Sequence, residues 1–254
     1  MRTFLLLTAF CSVAALQAAD EAEVIEAYRS GDLEAVIAGT ENLEEESELK
    51  NLRIHALQRR GENRFFEADI ERAIADFDAV IAIDPDRDPH HWQRGLAYYY
   101  AEEYKKGKAQ FERHQAVNSQ DVENAVWHFL CAVRAPGGDV ESAREDLIPI
   151  TGDARVPMKE VHDLFAGRGT VDDVLRAAEP DDGDGDGDGE ALSDRERNHL
   201  CYAHLYLGLY FEATGDEEKS ANHIRKAAWD YAMDHYMGRT AKVHATVRGI
   251  GKGE

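Results

Sequence analysis

The residues with the most evident chemical potential form one tract, Asp181-Asp182-Gly183-Asp184-Gly185-Asp186-Gly187-Asp188-Gly189-Glu190. Within it, Asp184-x-Asp186-x-Asp188-Gly189 has the alternate carboxylates and turn glycine that open an EF-hand calcium loop. Such a loop closes on a bidentate glutamate at its twelfth position. Here that position is Arg195. A run this rich in like charge repels itself and cannot bury a core, so 181–190 reads first as an acidic linker, with calcium binding as the lesser alternative. Cys201 and His204 share a helix face with His199 nearby, and His90-His91 precede Trp92. Two or three such groups hold zinc only when others converge from elsewhere. Taken alone they read as packing or surface residues. The sequence has no His-Glu-x-x-His, no Gly-x-Ser-x-Gly and no phosphate loop. The expectation is a protein that is not an enzyme, with no catalytic residue, cofactor or metal.

The elements that must position these groups are helices. Ile70, Ala73, Ile74, Phe77, Val80 and Ile81 recur at helical spacing and form one apolar face. Asp84-Pro85 ends it, because proline cannot continue a helix and disfavours helix in the residue before it. The pattern then repeats. Gly61 and Gly95 are 34 residues apart, as are Ile70 and Tyr104, Ala73 and Gly107, Phe77 and Phe111, and Pro85 and Ser119. A fixed period of this size means a stack of identical supersecondary units. No sustained alternation or hairpin signal competes, so the fold class is all-α, an α-solenoid of helix pairs.

These residues resemble the tetratricopeptide repeat (TPR) family. The first unit carries Gly61, Ala73, Phe77 and Pro85 at matching places, with Arg64 where the family has an aromatic. The second carries Gly95, Tyr98 and Phe111, with Gly107 for alanine and Ser119 for proline. A third lies near the C-terminus, where Gly208 and Phe211 lead to Gly215, then Ser220, Ile224 and Ala227. The resemblance implies that the first helix of each pair lines a concave face. Its lining residues would be Gln58, Glu62, Phe65 and Phe66 in the first unit, and Trp92, Leu96, Tyr99 and Tyr100 in the second. Aromatic side chains there can anchor a peptide. The competing reading packs them between helices or against the chain's own termini. The Lys and Asn of the family's carboxylate-clamp subtype are missing at these positions, so acidic C-terminal peptides are not the expected ligands.

The expected organisation is a signal peptide at 1–19, a degenerate helix pair at 20–50, and two TPR units at 51–119. Irregular helix pairs at 120–180 and the linker at 181–190 follow. A C-terminal unit with a capping helix closes the chain at 191–248. The irregular region has a clean stripe at Val122, Ala125, Val126, Phe129 and Val133, and shorter helices at Ala143 to Ile148, Met158 to Phe165 and Val171 to Ala178. The layout also resembles NlpI-like bacterial envelope proteins, through Tyr206-Leu207-Gly208-Leu209-Tyr210 and the closing His235-Tyr236 helix. That resemblance implies an adaptor or scaffold in the cell envelope.

Met1-Arg2, the apolar run from Phe4 to Leu16 and the small residues Ala18-Ala19 match a secretory signal. Bulky Phe10 precedes Cys11, which argues against a lipidation box. The expected location is therefore exported, periplasmic or secreted, without a lipid anchor or a membrane span. The formal charge of −21 repels phosphate backbones, so nucleic acid is not an expected partner. Cys131 and Cys201 read either as buried small residues or as a bridge. The functional expectation is a protein-protein interaction scaffold whose partner is another protein or peptide, with homo-oligomerisation left open. The alternatives are a structural subunit of an envelope complex and, more weakly, a calcium-dependent binder.

Overall fold

The computed structural model describes residues 21–41, 49–180 and 192–253. The expected signal (1–19) and the Asp-Gly tract (181–190), with its calcium reading, lie outside the described residues. Those residues are helical throughout, with no strand among them. A helix at 21–30 (α1) is followed by α2 (Leu33–Gly39), α3 (Lys50–Phe66), α4 (Ile70–Ile83), α5 (Trp92–Tyr100) and α6 (Tyr104–Gln115). Next come α7 (Val122–Arg134), α8 (Val140–Glu145), α9 (Met158–Phe165) and α10 (Val171–Ala178). The last three are α11 (Asp194–Thr214), α12 (Glu217–Arg225) and α13 (Tyr236–Val247). Among the described residues no helix is long and apolar enough to cross a membrane.

Three helix pairs, α3/α4, α5/α6 and α11/α12, share one internal register. Each has a glycine in its first helix, a left-handed residue seven positions on, and a bulky side chain nine positions beyond that. The glycines are Gly61, Gly95 and Gly208, and the bulky residues are Phe77, Phe111 and Ile224. A Cβ on any of the three glycines would sit 2.6–2.7 Å from the opposing side chain, so only glycine lets the paired helices close. The left-handed residues are Ala68 (φ 61), Glu102 (φ 60) and Gly215 (φ 86). Each turn makes the same 6→1 hydrogen bond: Asp69 N to Arg64 O, Glu103 N to Tyr98 O, and Asp216 N to Phe211 O. The sequence reading anticipated a glycine at only the last of these turns.

Polar pairs reinforce the same register. Arg60 binds buried Asp76 through two bonds, Nε to Oδ2 at 3.0 Å and Nη2 to Oδ1 at 2.7 Å. Arg64, standing where the family has an aromatic, adds a third at 2.8 Å. One repeat later Arg94 donates to Gln110 Oε1 through Nε (3.0 Å) and Nη2 (2.6 Å). Such pairs fix which residues face each other; their net contribution to stability is small after desolvation.

Pro85 opens a 3-10 turn (Pro85–His90) rather than simply ending α4. Asp121, Asp139, Thr170 and Ser193 cap α7, α8, α10 and α11 with their side chains, the last two as full capping boxes. The Ala143–Ile148 expectation needs correction: α8 spans Val140–Glu145, and Leu147 and Ile148 are non-helical. Ala227 lies in a π turn (Lys226–Asp230) that re-aims the chain towards α13. Cys131 and Cys201 are both buried and free. Cys131 packs over Gly107 and Cys201 points at the Ala227 carbonyl, so the bridge reading falls away.

Candidate partner-binding groove

The first helices α3 and α5 do turn the expected side chains to one face, but that face is covered. Phe65, Leu96 and Tyr99 are fully buried and Tyr100 is 5 % exposed. Gln58, Glu62, Phe66 and Trp92 are half-buried. The cover is α13. Its first residue, Tyr236, stacks on Phe65 (ring centroids 5.8 Å apart, 20° between planes) and meets Phe66 at 4.7 Å and the edge of Trp92 at 4.6 Å. The Arg239 guanidinium lies 3.5 Å from the Phe66 ring centroid. About two turns beyond Tyr236, His244 faces Tyr100, with 3.3 Å between Nδ1 and the hydroxyl. Of the two readings of these aromatics, the one that packs them against the chain's own terminus is the one the fold adopts. Met237, Ala241, Val243 and Ala245 are buried as α13 packs on α3, α11, α12 and the π turn, while Tyr236, Arg239 and His244 reach the concave aromatics.

At the far end of this contact lies Glu212 of α11, a residue that sequence reasoning missed. Its Oε2 accepts the Tyr99 hydroxyl at 2.5 Å, and its Oε1 meets Arg248 Nε at 2.5 Å and Arg134 Nη2 at 2.9 Å. Burial alone would raise the Glu212 carboxyl. His244, Arg248, the Tyr99 hydroxyl and Arg134 outweigh it and hold the pKa below the ordinary carboxylate value. Burial pushes the Tyr99 and Tyr100 hydroxyls well up, so both remain neutral donors. Gln58 and Gln93 both donate to Glu62, at 2.8 and 3.4 Å.

Two core histidines, His244 and His91, are held in the neutral form at pH 7. Burial depresses His244 to about 4, and His91 to about 4 with help from Arg94. Both folded values lie below the unfolded one, so these groups contribute stability above pH 6.5 that is lost as pH falls towards 4. The expected slope is about 1.4 kcal/mol per pH unit for each group across that window. Thermal melts between pH 7.5 and 4.5 check this: the melting temperature should fall on acidification, and less steeply in His244→Gln. A flat or rising profile would contradict it.

The expected metal candidates are not brought together. His204 pairs with His223 (Nδ1 to Nδ1, 2.8 Å) and stacks on Tyr231, while Cys201 faces Ala227. Among the described residues no group of three or more His, Cys, Asp or Glu is arranged to hold a metal ion. The residues of the repeat pattern behave as structure. Ala73, Phe77 and Phe111 are core, and Tyr98 lies between Asp78 and Lys106. Phe211 stacks on His223.

Two clefts remain beside α13. Trp92, Trp127, Glu123, Arg155 and Met237 line one of 240 Å³ near its N-terminal end. Arg134, Glu212, His244, Arg248 and Ile250 line one of 560 Å³ near its C-terminal end. No protein-family model matches the chain, and no curated protein is significantly similar to it.

Proposed function

We propose that the chain is an exported adaptor of tetratricopeptide type, a scaffold for protein-protein interaction in the bacterial cell envelope. The observation that carries this reading is the shared register of three helix pairs, with glycine at 61, 95 and 208 and its bulky opponent at 77, 111 and 224. Helix pairs stacked in this way make extended concave surfaces that suit polypeptide recognition. The concave face of the first two pairs supports the reading in a second way. It holds an amphipathic helix, α13, in an aromatic cradle, which is the chemistry of helix-in-groove recognition. With that face occupied, a partner docks on the clefts at either end of α13 or on the outer helices.

Affinity capture with the tagged full chain from the envelope fraction of its own host tests the proposal. Recovery of a distinct partner that dissociates and rebinds is the expected result. Stoichiometric recovery inside one large assembly would favour the structural-subunit reading instead. Recovery of nothing from envelope or secreted fractions would overturn both.

A further inference from the structure

The cleft near the N-terminal end of α13 is an unbalanced electrostatic site. Arg155 binds three carboxylates, Asp121, Glu123 and Asp153, each at 2.6 Å. One guanidinium thus faces three carboxyl groups, on side chains only 18 %, 12 % and 4 % exposed. The N-terminus of α7, capped by Asp121, offsets about half a charge. Burial pushes the Glu123 carboxyl up to about 7 despite its contact with Arg155, so it carries only part of its charge at neutral pH; with Asp153 standing behind Arg155 rather than lining the cleft, the cluster keeps a surplus of about one negative charge.

A second observation points to a ligand. Asn124 is 3 % exposed and lines the same cleft. Its Nδ2 donates to the Phe111 carbonyl and to Gln115 Oε1, both at 3.1 Å, which fixes the orientation of the amide. Its Oδ1 is buried and has no partner among the described residues. An unpartnered buried acceptor is costly, and a donor arriving from a ligand would relieve it. Trp92 and Trp127 complete the wall, and indole faces attract cations. Trp127 Nε1 is itself buried with no acceptor among the described residues, and a peptide carbonyl would supply one.

We propose that this cleft receives an organic cation, the guanidinium or ammonium group of an arginine or lysine side chain on a bound polypeptide. Surplus carboxylate, a neutral acceptor and aromatic faces are together the complement of such a group, and 240 Å³ accommodates it. The inference rests on the adaptor reading for the source of the cation. A chain of net charge −21 also steers basic partners towards itself.

Titration of the purified full chain, followed by tryptophan fluorescence, tests it. The probes are N-acetyl-arginine amide, a blocked Gly-Arg-Gly tripeptide and agmatine, with N-acetyl-glutamine amide as the uncharged control. Saturable binding of the two arginine compounds and not of the control is expected, with the tripeptide tightest. Asp121→Asn, which keeps a helix-capping side chain, and Glu123→Gln should each weaken binding by at least about tenfold while circular dichroism stays unchanged. No saturable signal with folded wild type, or equal binding by the uncharged control, overturns the proposal. Agmatine binding as tightly as the tripeptide overturns the polypeptide source. Partner capture without cation binding sinks this site alone, whereas cation binding without any protein partner sinks the adaptor reading alone.

Discussion

Tyr99→Ala is expected to destabilise the protein by about 3–5 kcal/mol, as much as Phe77→Ala, because both truncations empty fully buried aromatic sites. The repeat pattern alone separates the two residues. It sends Phe77 inward and Tyr99 to the concave side, where a contact residue loses affinity rather than stability when truncated. The fold removes that distinction. Tyr99 meets Trp127 at 5.3 Å and Tyr104 at 5.7 Å between ring centroids, and its hydroxyl is held by Glu212. Denaturant unfolding of both variants checks the expectation. Should Tyr99→Ala lose less than about 1 kcal/mol, the ring lies in an open groove and the account of its burial is wrong.

Glu212→Ala should cost a similar amount, about 3–5 kcal/mol, for an electrostatic reason. One carboxylate, 9 % exposed, is shared by Arg134, Arg248 and the Tyr99 hydroxyl. Removing it leaves two partly buried guanidiniums facing each other and a buried hydroxyl without its acceptor. Among the described residues Arg248 Nη2 already lacks a partner, so none of them stands in reserve. Glu212→Gln keeps an acceptor for the hydroxyl but not the charge, and should fall between wild type and alanine. The lowered pKa adds a pH signature. Stability from this group is present above the ordinary carboxylate range and is lost as pH falls through the folded value. Equal stability of wild type and Glu212→Ala across neutral pH would show that the three contacts are not made in solution.

The helix pairs were legible in the sequence because their cause is local and periodic. Gly61 opposite Phe77 and Gly95 opposite Phe111 are separated by one helix-turn-helix, so a single contact recurs at 34 residues. Two of the turns were less legible. Ala68 and Glu102 adopt the left-handed conformation that glycine marks at 215, and neither residue type announces it. Nor did Arg60 and Arg64 advertise a shared partner, since in an acidic chain every arginine has several candidate carboxylates; only burial singles out Asp76. Of the two readings the sequence left open for the concave aromatics, an exposed lining and packing against the chain's own terminus, the fold adopts the second. The cover comes from the other end of the chain: Tyr99 to Glu212 spans 113 residues and Tyr100 to His244 spans 144. Periodicity within a helix states that α13 has an apolar face and says nothing of which distant surface will bury it. The cation cleft was illegible because Arg155, in the loop before α9, meets Asp121 and Glu123 at the start of α7 across 34 and 32 residues.

The central claim is that the chain's own last helix fills the concave face of its first two full helix pairs. Nuclear Overhauser contacts between assigned ring protons test it most directly. The account predicts cross-peaks from Tyr236 to Phe66 and to the Trp92 indole, and from Tyr100 to His244, in the folded full chain. Absence of these cross-peaks, with Tyr236 to Val247 helical but its side chains exchanging freely with solvent, would contradict it and return the groove to an open state.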